Sequence, residues 1–182
     1  LQCPSDPNGA RNSAPAFGNI SKHNYVVNAG NTVRLQGAFS GVTFGGAPFL
    51  RNGVTTKLTD ISDGTSGTLM ASETLTGINA GSTNDLRGFT WWGPGAVFMG
   101  FNGPNSPSPD FHQFASYCNN QPAQGLPCAV NSNVQLAARS RHTGGVTAAL
   151  CDGSVRFVRD GTAIATWRAM STSRGGEVVS GD

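Results

Sequence analysis

Apolar residues along this chain come in short pieces that glycine, asparagine and other turn-forming residues separate. Such pieces lie at Tyr25 to Val27, Val42 to Phe44, Phe49-Leu50 and Leu69 to Ala71. Short apolar pieces bounded by turn signals favour strands over helices. The pattern therefore predicts a β-rich fold with long turns.

The clearest local prediction is a hairpin near the C-terminus. Asp152-Gly153 lies between alternating apolar residues, and a two-residue turn of this kind needs positive φ at both central positions. We predict antiparallel strands at roughly Val146 to Cys151 and Ser154 to Arg159. In the register that such a turn sets, one apolar face collects Val146, Leu150, Val155 and Phe157. That face is expected to belong to the core.

A short helix is expected after the hairpin. Ile164, Trp167 and Met170 recur at intervals of three. Thr162 is available as an N-cap, and Gly175-Gly176 can stop the chain from turning further. This helix is predicted to cover an edge of the sheet. The expected fold class is α+β and β-rich, with an antiparallel sheet and a C-terminal hairpin plus short helix in a single domain over residues 1–182.

Composition places the protein outside several functional classes. Only 12% of the residues are charged, against a usual value of about 25%, and 25 glycines accompany abundant Asn, Ser and Thr. This composition is typical of an extracytoplasmic β-rich protein. The net charge is +2 and the arginines are scattered, so no nucleic acid partner is expected. No window approaches the roughly 20 apolar residues that span a bilayer.

Four cysteines make disulfides the favoured interpretation. They form no CxxC motif and no Cys/His zinc or haem spacing, so no metal ligands are predicted. The stretch CNNQPAQGLPC, from Cys118 to Cys128, is a short loop that a bridge could close. That pairing leaves Cys3 and Cys151 for each other. Four cysteines allow three connectivities, and buried free thiols are a further alternative.

The Asp63-Gly64 pair predicts a turn ahead of the strand that follows it. Reading it as an EF-hand loop would put Thr59 first and Met70 twelfth, where Asp and Glu are required, so that interpretation fails. A calcium site of another kind, using Asp60 and Asp63, stays open as an alternative. No other cofactor is predicted.

Nothing in the sequence predicts an active site, and the protein is expected to be no enzyme. Nucleophile-elbow, phosphate-loop, dinucleotide and HExxH motifs are absent. His142 lies ten residues before Asp152, which is roughly 30 Å along an extended strand, so the two are not a catalytic dyad. We expect His142 to donate to a carbonyl or a side chain that closes the start of the hairpin, as a stabilising residue.

An aromatic cluster precedes a proline-rich loop. Trp91, Trp92, Phe98 and Phe101 are expected to cover the sheet, because aromatic side chains bury large areas. The alternative is that Trp91 and Trp92 form a ligand surface for a glycan or another partner.

The hairpin motif is accompanied by other short motifs that follow a defined order along the chain. His142 and Asp152-Gly153 are separated by nine residues, and the accompanying stretches along the chain are CPSDP, NYVVNAG, DGTSGTL, PNSPSPD, GLPC and TWRAMSTSRGGEVV. This order resembles the prepilin-type "H, nine residues, DG" domain of a paralogous pseudopilin-like family in planctomycetes and related bacteria, whose function is unknown. Gly67 stands where that family usually has Asn.

The resemblance implies a pilin-like head, without the long N-terminal helix, that serves as a non-enzymatic structural subunit of a type IV pilin-like or type II secretion pseudopilus-like assembly. The full-length form would be anchored in the membrane through that helix, which would also bind other pilin-like subunits, while the head lies outside the cytoplasm. The isolated head is expected to be a monomer. His142, Asp152, Gly153, Asp63 and Gly64 are carried over as structural motif residues. The alternative is an extracellular binding module for polysaccharide or another surface ligand.

Overall fold

A computed structural model describes residues 1–8, 21–89 and 93–177 of the chain. The regular elements are β1 (Tyr25–Asn28), β2 (Leu69–Glu73), β3 (Val97–Phe98), β4 (Asp110–His112), β5 (Cys128–Val130), β6 (Gly145–Leu150), β7 (Val155–Arg159) and the helix α1 (Ile164–Met170). A five-stranded sheet has the order β3-β1-β2-β6-β7, and β4 and β5 form a separate two-stranded sheet. The predicted β-rich α+β class is confirmed.

The pairing in the main sheet is mixed. β1 with β2, β2 with β6, and β6 with β7 are antiparallel, whereas β1 and β3 are parallel. Val42 to Phe44 and Phe49-Leu50 form no strands, contrary to the prediction from their apolar residues. Val42 makes only an isolated bridge with Phe39, because Ser40 and Gly41, both with positive φ, turn the chain sharply between them.

The core lies between α1 and one face of the main sheet. Trp167 is fully buried, and its ring centroid lies 5.8 Å from that of Phe98 on β3. The same cluster contains Val26, Leu69, Ala138, Val146, Ala148, Val158 and Met170. The indole Nε1 of Trp167 donates to the Asn102 carbonyl at 2.9 Å, so its polar atom is paired although the ring is buried. The helix is therefore part of the core and does more than cover an edge.

The helix begins one residue later than a Thr162 cap requires. Ala163 occupies the N-cap position and makes no side-chain capping bond. Thr162 instead donates its backbone N–H to the Arg159 carbonyl, which closes the turn after β7. Within the described ranges, no helix combines the length and the apolar character needed to cross a membrane.

The hairpin forms, but its register differs by one residue from the prediction. Ala149 pairs with Val155 and Thr147 pairs with Phe157. Val155 and Phe157 are 64% and 50% exposed, so they do not join the core face predicted for them. The Leu150 N–H donates to the Ser154 carbonyl at 2.8 Å, around a turn of three residues that includes Gly153 at φ +86°. A three-residue turn shifts the register by one and exchanges the two faces of β7.

A buried ionic network supports the small sheet of β4 and β5. The Asp110 carboxylate is fully buried and accepts from Arg139 Nε at 2.9 Å and from Arg87 Nη1 at 3.1 Å. Arg87 also binds Asp85, with 2.6 Å between Nη2 and Oδ2. Although burial acts in the opposite direction, Arg139 and Arg87 hold the pKa of Asp110 below its usual value. Each buried charge in this network is therefore compensated by an oppositely charged neighbour.

His112 lies beside this network with its imidazole almost completely buried. The side chain is 1% exposed, and neither ring nitrogen has a hydrogen-bond partner among the described residues. Burial lowers the pKa of His112 to about 4, against an ordinary value of 6.5, and nearby Arg87 acts in the same direction. The imidazole is therefore neutral at physiological pH.

Candidate functional site

The first residues of the chain are hydrogen-bonded to the main sheet through buried polar groups. The Cys3 N–H donates to Asn24 Oδ1 at 2.9 Å, and the Asn24 N–H donates to the Leu1 carbonyl at 3.0 Å. Asp6 Oδ2 accepts from Asn24 Nδ2 at 2.7 Å and from both the N–H and the hydroxyl of Thr76 at 2.9 Å. We call Leu1, Cys3, Asp6, Asn24 and Thr76 the N-terminal clasp.

Glu73 and His142 meet where the central strands begin and end. Because β2 and β6 are antiparallel, the last residue of β2, Glu73, lies beside the residues that lead into β6. Glu73 Oε1 is 3.0 Å from His142 Nε2, and Glu73 Oε2 accepts from the Thr147 N–H at 2.7 Å. The His142 N–H donates to Ser140 Oγ at 3.1 Å. Both ends of this pair are therefore held by neighbouring groups.

Cys3 brings the clasp into contact with this pair. Its Sγ lies 3.5 Å from His142 Nε2, and the ligand atoms of Cys3, Glu73 and His142 all lie within 4.8 Å of one another. Tyr25 pairs with Glu73 across β1 and β2. Burial, with a further contribution from Cys3 and Glu73, raises the pKa of Tyr25. We call Cys3, Glu73 and His142 the Cys-Glu-His cluster.

The cluster lacks the arrangement of a nucleophile relay. In such a relay one imidazole nitrogen serves the nucleophile while the other is oriented by an acid. Here Sγ of Cys3 and Oε1 of Glu73 both approach Nε2 of His142. The arrangement can fix the N-terminal segment to the sheet, and it can present sulfur, nitrogen and oxygen to one point.

The remaining motif residues lie at the opposite ends of β2 and β6. Asp152 Oδ1 accepts from the Ser154 N–H at 2.9 Å and from its hydroxyl at 2.7 Å, and these bonds lower the pKa of Asp152. The Asp152 N–H donates to the Thr65 carbonyl at 3.1 Å, so the Asp152-Gly153 turn contacts the turn that follows Asp63-Gly64. His142 and Asp152 are not brought together.

Asp63 fixes the chain that leaves α1. Its carboxylate accepts from the N–H groups of Gly175 at 2.7 Å and Gly176 at 2.9 Å, and from the Thr172 hydroxyl at 3.0 Å. Asp60 Oδ2 accepts from the Lys57 N–H at 2.8 Å. The two carboxylates considered for calcium thus each bind backbone donors. Motif residues thus make hydrogen bonds at both ends of the β2–β6 pair, His142 at one end and Asp152 at the other.

One of the two predicted disulfides is confirmed. Cys118 and Cys128 are bonded, with 5.9 Å between their Cα atoms. The pairing of Cys3 with Cys151 is wrong, since both are buried free thiols. Cys3 contacts His142 near the start of β6, whereas Cys151 follows the end of that strand, so the length of β6 separates them. Burial raises the pKa of the Cys151 thiol to about 11.

The predicted aromatic cluster is described only in part. Trp91 and Trp92 lie outside the described residues, and their role as a ligand surface stays a prediction. Phe98 is fully buried. Phe101 is half-buried, with its centroid 4.9 Å from that of Phe39 and the Arg168 guanidinium 4.6 Å above its ring.

The convergence of Cys3, Glu73 and His142 was not predicted from the sequence. The three residues come from separate parts of the chain, and no local spacing connects them. The available signal was that Cys3 and His142 belong to two of the ordered motifs and that Glu73 follows a third. Residues in such motifs that carry polar or nucleophilic groups are candidates for a common location in the fold.

Comparison with known proteins gives a family without a known activity. A family model described as "Protein of unknown function (DUF1559)" matches residues 1–164. No curated protein matches the chain, and no solved structure matches it.

Proposed function

Because the chain belongs to the DUF1559 family of proteins of unknown function, we propose its role from its motifs and its N-terminal clasp: it is the globular head of a pilin-like or pseudopilus-like surface subunit. In this proposal a hydrophobic helix precedes the head in the full-length protein, anchors it in the membrane and joins it to other subunits. The head lies outside the cytoplasm and has no catalytic role.

The observation that carries the proposal is the N-terminal clasp. A head that is pulled or packed through an N-terminal helix needs its first residues attached firmly to the rest of the domain. Asp6 and Asn24 are 6% and 1% exposed. The hydrogen bond between them adjoins the start of β1, because Asn24 directly precedes Tyr25. Buried hydrogen bonds to a charged group contribute more than exposed ones, because water does not compete for them. Force entering at Leu1 would therefore pass directly into β1 and β2.

The composition of the head also supports an extracytoplasmic role. The Cys118–Cys128 disulfide closes a short loop, and disulfides of this kind persist in oxidising compartments. The low content of charged residues, 12%, is consistent with the same location.

The proposal is tested by locating the full-length protein in its own cells. An epitope tag inserted at the exposed Asn52-Gly53 turn would leave both chain ends unchanged. We expect the tagged protein in the membrane and sheared-surface fractions, with crosslinks between copies. If the preceding helix joins the subunits, as proposed, the 182-residue form should sediment as a monomer.

A matched pair of variants separates the clasp from general surface effects. Asp6→Ala removes the buried acceptor of the clasp, whereas Asp60→Ala removes an exposed carboxylate that accepts one backbone bond. Less surface-displayed protein for Asp6→Ala than for Asp60→Ala is the expected result. A full-length protein found in the cytoplasm, or a stable high-order assembly of the isolated head, would contradict the proposal.

A further inference from the structure

We propose that Cys3, Glu73 and His142 bind a zinc ion through Sγ, a carboxylate oxygen and Nε2. Thiolate, imidazole and carboxylate are the three ligand types that zinc takes in proteins. The three ligand atoms lie within 4.8 Å of one another. The inference goes beyond the structural role proposed above, and it holds or fails independently of where the full-length protein is located.

Two of the three separations between the ligand atoms are close to those around a tetrahedral ion. Zinc bonds of about 2.3 Å to sulfur and about 2.0 to 2.2 Å to nitrogen and oxygen place S and N roughly 3.5 Å apart, and N and O roughly 3.4 Å apart. In the protein Cys3 Sγ and His142 Nε2 are 3.5 Å apart, and His142 Nε2 and Glu73 Oε1 are 3.0 Å apart. The first edge needs no change, and the second needs to open by only a few tenths of an ångström.

Hydrogen bonding alone satisfies the cluster incompletely. Nε2 of His142 carries either one proton or one lone pair. It therefore cannot donate to Glu73 and at the same time accept from the Cys3 thiol, although both atoms approach it. A divalent cation at the common point binds all three atoms at once. Such an ion also compensates the negative charges of a thiolate and a carboxylate that lie close together.

The groups that would bind the ion are already oriented by neighbours. Glu73 Oε2 accepts from the Thr147 N–H, which leaves Oε1 directed toward the cluster. The backbone of Cys3 is held by Asn24 Oδ1. Supporting hydrogen bonds of this kind orient ligands and strengthen metal binding.

The cluster is accessible from one side. The His142 side chain is 37% exposed, whereas that of Glu73 is 3% exposed. An ion can therefore enter past His142, and water is expected to complete the coordination at the open position, as at zinc sites with three protein ligands. A site with a thiolate and an imidazole selects zinc over calcium and magnesium, which prefer oxygen ligands.

Cobalt spectroscopy on the untagged 182-residue protein tests the inference directly. After chelator treatment and under anaerobic conditions, Co²⁺ should produce a thiolate-to-cobalt charge-transfer band that saturates at one equivalent. Zn²⁺ should remove the band by displacement, and excess Ca²⁺ should not. Cys3→Ser should abolish the band, and Glu73→Gln and His142→Gln should weaken zinc binding roughly tenfold or more.

Two variants serve as matched controls. Cys151→Ser removes the other buried free thiol, and His23→Gln removes a histidine outside the cluster, so both should bind cobalt and zinc like the unmodified protein. Absence of the charge-transfer band in the folded, unmodified protein overturns the inference, whatever the variants do. Equal zinc affinity for Cys3→Ser and Cys151→Ser also overturns it, because the ion would then be bound elsewhere.

Discussion

Cys3 Sγ and His142 Nε2 lie 3.5 Å apart although 139 positions separate the two residues in the sequence. The contact joins the first motif of the chain to the histidine that opens the hairpin motif. Glu73 completes the junction from the end of β2. Two of the sequence motifs and the residue that ends β2 therefore belong to one spatial arrangement around the central strands.

Replacing the acceptor of the N-terminal clasp should destabilise the domain. Asp6→Ala leaves Asn24 Nδ2 and the two donors of Thr76 buried without their acceptor. An unpaired buried donor costs about 1–3 kcal/mol, so we expect the free energy of unfolding to fall by about 2–4 kcal/mol in urea titrations. Asp60→Ala is the control and should cost less than about 1 kcal/mol. Equal losses for the two variants would show that the buried bonds of the clasp stabilise the domain no more than an exposed carboxylate does.

The shifted register of the hairpin predicts unequal costs for two apolar residues. Leu150 is fully buried and Phe157 is 50% exposed. We expect Leu150→Ala to cost about 2–5 kcal/mol and Phe157→Ser to cost about 1 kcal/mol or less. Thermal and chemical denaturation of both variants measure the difference. If Phe157→Ser were as costly as Leu150→Ala, the two-residue turn predicted from Asp152-Gly153 would be right after all.

Burial of neutral His112 predicts a loss of stability in acid. Its pKa is about 4 in the folded protein against 6.5 ordinarily, so below pH 6.5 the unfolded chain takes up a proton that the folded protein does not. The loss should begin near pH 6.5, increase as the pH falls, and level off below about pH 4. At about 1.4 kcal/mol for each pH unit it reaches about 3 kcal/mol.

A His112→Gln variant isolates this contribution from the carboxylates. Its free energy of unfolding should depend less on pH between 6.5 and 4 than that of the unmodified protein, in urea titrations at several pH values. His23→Gln serves as the comparison: burial lowers the pKa of His23 as well, but its imidazole is less deeply buried, so this variant should lose a smaller part of the dependence than His112→Gln. An unchanged slope for His112→Gln would mean that the imidazole is charged, or solvated, in the folded state.

Neutralising the centre of the buried ionic network should be costly. Asp110→Asn leaves Arg87 and Arg139 with one negative partner, Asp85, in place of two. Removing one member of a buried ionic pair costs about 3–5 kcal/mol, because the remaining charge is uncompensated. Denaturation at neutral pH measures the loss, and Asp160→Asn, at an exposed carboxylate, should change stability by less than about 0.5 kcal/mol.

The oxidation states of the cysteines predict a simple mass pattern. With one bond between Cys118 and Cys128 and free thiols at Cys3 and Cys151, the unfolded, unreduced chain should take up two alkyl groups. After reduction it should take up four. Peptide mapping should place the first two adducts on Cys3 and Cys151. Four adducts without reductant would exclude the disulfide, and none would support a second bridge.

Local signals predicted the parts of the fold that depend on neighbours in the sequence. The Cys118–Cys128 bridge closes a short loop, the apolar residues of β6 and β7 alternate, and Trp167 and Met170 recur at helical spacing. Each signal lies within about a dozen residues, so long-range packing was not needed to recognise it. The same signals do not set the length of the turn, and this is why the faces of β7 were assigned wrongly.

Features that join distant parts of the chain were not accessible in the same way. The pairing of Cys3 with Cys151 rests on elimination alone. In the structure the bond from the Cys3 N–H to Asn24 and the antiparallel pairing of β2 and β6 place Cys3 beside His142 instead. The buried Arg87–Asp110 pair likewise has no sequence spacing that marks it. The pairing of the strands and the packing of the loops decide which of these distant polar residues come into contact.

The position of β2 in the sheet also determines when the head can finish folding. β2 pairs with β1 on one side and with β6 on the other, as in the contact between Ser72 and Ala148. When Phe98 has been synthesised, all residues of β1 to β3 are available for pairing, but one edge of β2 still lacks its partner β6 and could pair with other chains. Pairings across such long sequence separations form slowly. β6 closes that edge, and the residues that lead into it bring His142 to Cys3, so this contact forms only after the residues of the N-terminal clasp and of β1 to β3 have been synthesised.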